Sequence, residues 1–137
     1  MTWLIGPKLL LVLAFCQCVS SAQDTEIVEV LYPSRTIRAA KGSSVTLTCR
    51  AKYNFELCGH VQVAWCAIQT KAELTDHNWY TTTVNETILE DGTMRLRQVT
   101  TEMIHLTPED NGAFQCNAKC ERGEIAQGHF IRIHVTD

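Results

Sequence analysis

The sequence predicts an all-β fold, a sandwich of two packed sheets. Three observations carry that prediction. Apolar and polar residues alternate with period two in several runs, β-branched residues are enriched in those runs, and Gly-, Asn- and Asp-bearing turn signals separate them. No amphipathic helical stripe competes with this pattern.

The expected strands lie near 27–31, 35–39, 45–51, 61–68, 78–83, 86–90, 93–106, 112–119 and 125–135. Val45, Leu47 and Cys49 alternate with Ser44, Thr46, Thr48 and Arg50, so the third strand has one face inward. Val61, Val63 and Trp65 alternate with Gln62, Ala64 and Cys66 in the fourth. Ile131, Ile133 and Val135 alternate with Phe130, Arg132 and His134 in the last. Turns are expected at Lys41-Gly42-Ser43-Ser44, Asp91-Gly92 and Asn111-Gly112. The stretch 93–106 is long for one strand and reads as two short strands or one bent one. Pro108-Glu109-Asp110 reads as a short helical turn.

Met1–Ala22 has the features of a secretory signal peptide: Lys8 as a positive flank, an apolar run over Leu9–Phe15, and small residues at Ser20-Ser21-Ala22. That run is too short to span a bilayer, which takes about 20 residues. Removal of the leader leaves 23–137, one domain on the usual size scale. The formal net charge moves from −3 to −4, because Lys8 leaves with the leader. A mildly acidic chain is a poor match for nucleic acid, which calls for clustered basic residues.

Export changes how the cysteines read. Cys16 and Cys18 belong to the leader, while Cys49, Cys58, Cys66, Cys116 and Cys120 enter an oxidising compartment and should pair, with one left over. Asn85-Glu86-Thr87 is a glycosylation acceptor, which places Asn85 at the surface.

Cys49, Trp65 and Cys116 form the Cys…Trp…Cys pattern of an immunoglobulin-like β-sandwich, variable-like or intermediate in type. Cys49 and Cys116 bridge the sheets, and Trp65 packs against the bridge. Phe114 stands where such domains carry the corner tyrosine, so its ring packs without a hydroxyl bond. Asp110-Asn111-Gly112-Ala113-Phe114-Gln115-Cys116 resembles the approach to the second cysteine in variable-type domains. That resemblance implies a salt bridge from Asp110 to an arginine of the opposite sheet, with Arg95 and Arg97 as candidates.

The run Val63-Ala64-Trp65-Cys66, the segments Asp110-Asn111-Gly112 and Cys116-Asn117-Ala118, and the ending His134-Val135-Thr136-Asp137 resemble the single outer domain of the B- and T-lymphocyte attenuator family. The resemblance covers roughly 45–137 and implies the ligand-binding ectodomain of an inhibitory co-signalling receptor. It further implies a partner in the tumour-necrosis-factor-receptor superfamily, the herpesvirus entry mediator. The chain departs from that family in having no cysteine between Ala67 and Asp76 to pair with Cys66, and none in 23–48. The alternative reading is a secreted or adhesive domain that self-associates as a homodimer.

In an immunoglobulin sandwich the loop carrying Cys58 and the end of the strand carrying Cys116 lie at the same end. A Cys58–Cys120 bridge with Cys66 unpaired is therefore expected, and Cys66–Cys120 is the competing pairing.

No catalytic or cofactor motif is present, and neither an enzyme nor a small-molecule substrate is expected. His60, His77, His105, His129 and His134 lack metal-ligand spacing, and Glu90-Asp91 and Glu109-Asp110 read as solvated turn acids. Recognition through a sheet face is the remaining function. Alternation points Gln62, Ala64 and Cys66, then Gln115 and Asn117, then Phe130, Arg132 and His134 outward on one sheet. Phe130 and Arg132 are residue types enriched in interface anchors. The edge around Val28–Arg38 is the second candidate surface. The expected location is outside the cell, on the membrane or secreted.

Overall fold

A computed structural model describes residues 27–89 and 92–137; the expected signal peptide and the Glu90-Asp91 pair lie outside them. The described chain forms strands β1 (Val28–Leu31), β2 (Arg35–Ala40), β3 (Val45–Asn54), β4 (Val61–Ala67), β5 (Ala72–Glu73), β6 (Tyr80–Ile88), β7 (Met94–Met103), β8 (Gly112–Cys120) and β9 (Ile125–Thr136). One sheet has the order β1-β3-β7-β6 and the other β2-β9-β8-β4-β5.

The first two strands divide between the sheets. β1 pairs antiparallel with β3, and β2 pairs parallel with β9. Pro33 lies between them, where a residue without an N–H ends one ladder and lets the chain cross to the other sheet. The inward residues of both sheets form the core around Trp65, Leu47, Phe114, Val99 and the Cys49–Cys116 bridge. A second cluster, with Tyr53, Val28, Val61 and Ala118, packs around the Cys58–Cys120 bridge at one end.

Several elements differ from the sequence reading. The expected strands at 78–83 and 86–90 are one strand, β6, whose β-branched residues pair with β7 without a break. The stretch 93–106 forms one strand, β7, in unbroken register with both β3 and β6. Of the two forms expected for this stretch, the single strand is the one formed, because its ladder is flanked on both sides. A one-turn helix, α1 (Phe55–Cys58), was not anticipated. The Asn54 side chain caps it by accepting from the N–H groups of Glu56 and Leu57, and Gly59 (φ 76°) ends it. Pro108–Asp110 forms a single 3₁₀ turn.

β5 is two residues long, so the five-stranded sheet stops short opposite β6. Val84 lies opposite buried Val99 on β7, in the inward register of β6, yet is 54% exposed.

Candidate recognition face

Cys49 and Cys116 are fully buried, lie on β3 and β8 in different sheets, and are bonded with their Cα atoms 6.5 Å apart. Trp65, on β4, is in register with Cys116 and 1% exposed. Phe114 is likewise buried. Cys58 is bonded to Cys120 (Cα–Cα 4.9 Å), and Cys66 is free and half-buried. Asn85 is exposed on β6, the edge of the four-stranded sheet.

The expected Asp110–arginine pair is corrected. The Asp110 carboxylate accepts from the backbone N–H of Thr107 at 2.8 Å and closes its own turn. Arg97 pairs instead with Glu86, 2.7 Å away and directly across the ladder, and donates to the Val61 carbonyl at 2.8 Å. Arg95 lies over the Phe55 ring, 3.7 Å from its centroid. The reason is strand length. Asp110 follows the far end of β7, and at about 3.4 Å per residue the uninterrupted strand carries Arg97 roughly 20 Å and Arg95 roughly 27 Å from that end.

The Tyr53 hydroxyl joins this cluster by donating to the Glu86 carboxylate. Burial, and then Glu86, push the Tyr53 phenol up to about 12. Burial pushes the Glu86 carboxyl up, but the Tyr53 hydroxyl and Arg97 outweigh it, and Glu86 titrates below its ordinary value. The stability this cluster contributes is therefore complete above the ordinary carboxylate pKa and lost as pH falls through the lower folded value. Glu86→Gln is expected to flatten the fall in Tm between roughly pH 6 and roughly pH 3, measured by thermal melts. Both partners are partly exposed, so the effect is small.

All the residues expected to face a partner lie on the outer side of the five-stranded sheet. Gln62, Phe130, Arg132 and His134 are exposed; Ala64, Cys66, Gln115 and Asn117 are half-buried. Register sets Gln115 between Cys66 and Phe130, Asn117 opposite Ala64, and Arg132 opposite Ala113. The Asn117 amide donates to the Cys66 sulfur at 3.5 Å. Burial pushes the Cys66 thiol up; the Asn117 bond opposes this, and the Glu73 carboxylate adds to it. A thiol raised in this way is protonated at neutral pH and a poor nucleophile. Maleimide labelling of Cys66 is expected to be at least about tenfold slower in the native than in the denatured domain.

Sequence reasoning missed four residues of this face: Arg38, Lys119, Ile125 and Gln127. Ile125 and Gln127 escape simple alternation because β9 carries a bulge. Gln115 pairs with Phe130 but Asn117 pairs with Gln127, so two residues of β9 oppose Cys116. The phase of β9 therefore flips, and Ile125 (50% exposed) joins Phe130 (41% exposed) on the outside. In the sequence Arg38 closes the separate edge around Val28–Arg38. Parallel pairing of β2 with β9 instead places it beside His134.

The two-sheet arrangement, the bridge between the sheets and the tryptophan packed on it define an immunoglobulin domain. The immunoglobulin V-set model matches residues 32–136, and the chain belongs to that family. V-set domains are non-enzymatic and generally bind proteins, and a disulfide-bonded V-set domain belongs outside the cell. No curated protein matches the chain.

Proposed function

We propose that this V-set domain is the ligand-binding ectodomain of an inhibitory co-signalling receptor resembling the lymphocyte attenuator, and that it binds a partner through the outer face of its five-stranded sheet. The observation that carries this reading is the large aromatic side chain of Phe130, held open on a sheet whose other side is the core, with Ile125 exposed further along the same strand. Isolated apolar residues need no explanation, but an aromatic flanked by arginine and amide side chains has the composition of an interface centre. The sequon at Asn85 supports the reading from the opposite side: a glycan there would occupy the four-stranded sheet and leave this face open.

The resemblance supplies the partner to test, a herpesvirus entry mediator homologue from the same organism. Surface plasmon resonance is expected to give a dissociation constant below about 100 μM. Phe130→Ala is expected to weaken it about tenfold. Binding that is absent at that concentration would remove the receptor assignment and favour the self-associating alternative.

A further inference from the structure

We infer that the outer face of the five-stranded sheet receives an acidic protein surface on a different molecule, and not a second copy of this chain; the inference rests on the receptor reading above. The chain as a whole is acidic, yet this face is basic. On β2, Ile37 and Ala39 pack toward the core, so Arg38 points outward beside His134 of β9, and Arg132 follows one register step away. Lys119 adds a third full charge further along β8, opposite Gln62. Arg38, Arg132, His134 and Lys119 are all exposed, and none of them forms an ion pair among the described residues.

The carboxylate on this face among the described residues is Glu73, on the two-residue β5 at the far edge. Glu121 and Glu124 belong to the turn between β8 and β9, and Asp137 lies beyond the end of β9. The basic residues therefore flank Phe130 without internal neutralisation.

A two-fold contact through this face would set Arg38, Arg132 and Lys119 of one copy against the same set on the other. Like charges brought together in an interface oppose association, whereas a surface bearing carboxylates is steered toward them. Cys66 is half-buried under the Asn117 amide, which slows a covalent link between two copies through this face. The exposed aromatic sets the partner's class: Phe130, with Ile125 further along β9, favours a folded protein surface over a purely charged chain such as a sulfated polysaccharide.

Two measurements test this on the glycosylated domain. Sedimentation velocity is expected to show a monomer at about 100 μM. A dimer lost on Phe130→Ala overturns the inference. The second measurement uses streptavidin tetramers of the domain to stain leukocytes of the same organism, with the variants Arg38→Glu/Arg132→Glu and Phe130→Ala, all checked for unchanged Tm. Both variants are expected to reduce protease-sensitive staining by about tenfold or more. Loss with Phe130→Ala alone keeps the face and overturns its acidic partner. Staining unaffected by either variant, or absent with the wild type, overturns the receptor reading itself. Staining abolished by heparinase identifies a polysaccharide ligand and overturns the inference.

Discussion

Serine at Cys49 is expected to prevent secretion of folded protein or to lower stability by about 2–5 kcal/mol, roughly 10–20 °C in Tm for a domain of this size. The two bridges span 67 and 62 residues of sequence and overlap over most of that length. With Cys58–Cys120 intact, the Cys49–Cys116 bridge further constrains only the short flanking segments 49–58 and 116–120. The chain-entropy contribution then falls from about 4 to about 3 kcal/mol. Packing restores the balance at this site. Both sulfurs are fully buried between the sheets beside Trp65, so the variant leaves a serine hydroxyl and a thiol in an apolar core. Cys58→Ser, at the end of the sandwich, is expected to cost less. Thermal melts of the two secreted variants decide the point: a Cys49→Ser variant as stable as the parent, or less damaged than Cys58→Ser, contradicts it.

The parts of the fold legible in the sequence were those written in a local period. Cys49, Trp65 and Cys116 lie on strands whose alternation assigns each an inward side chain without knowledge of its neighbours. The same alternation placed Gln62, Ala64, Gln115, Asn117, Phe130, Arg132 and His134 on one outer face. What escaped depended on lengths and registers set by the tertiary structure. The arginine reach to Asp110 looked plausible only while 93–106 could be two short pieces. A continuous β7 puts Arg97 beside Glu86 and leaves Asp110 to its own turn. Arg38 could join the face only through parallel pairing with β9, which no local pattern in 35–40 reveals. Ile125 was hidden by a bulge, since one shift in register inverts every side chain beyond it. The Asn54 cap of α1 was written in the sequence, but one turn of helix inside a strand-rich region carries no periodicity to announce it.

Tyr32 and Gly128 are expected to behave as a single unit, with strongly non-additive substitutions. The bulge in β9 leaves the Cys116 N–H without a ladder partner, and the Tyr32 hydroxyl accepts from it at 3.0 Å while donating to the His129 carbonyl. The ring packs against Trp65 with centroids 5.0 Å apart. It passes over Gly128 so closely that a Cβ there would overlap the Tyr32 ring. Phe114, which lacks a hydroxyl, offers no such bond; Tyr32 supplies one to β8 from the crossing between the sheets. Tyr32→Phe leaves the Cys116 N–H without that partner and is expected to cost about 1–3 kcal/mol. Tyr32→Ala removes the ring packing as well and is expected to cost about 2–4 kcal/mol, around and below the low end of the aromatic-to-alanine range because the ring is half-buried. Gly128→Ala forces the ring aside, and that shift is costly because the hydroxyl is held from two sides and Trp65 stands beside the ring. It is therefore expected to cost nearly as much as Tyr32→Ala, although it adds only a methyl group. Once Tyr32 is alanine the methyl group meets nothing, so the double variant should be little worse than Tyr32→Ala alone. Urea midpoints of the three variants measure the coupling, expected at about 1–3 kcal/mol. Additive costs would mean that the ring moves aside freely and that the bulge finds its hydrogen bonds elsewhere.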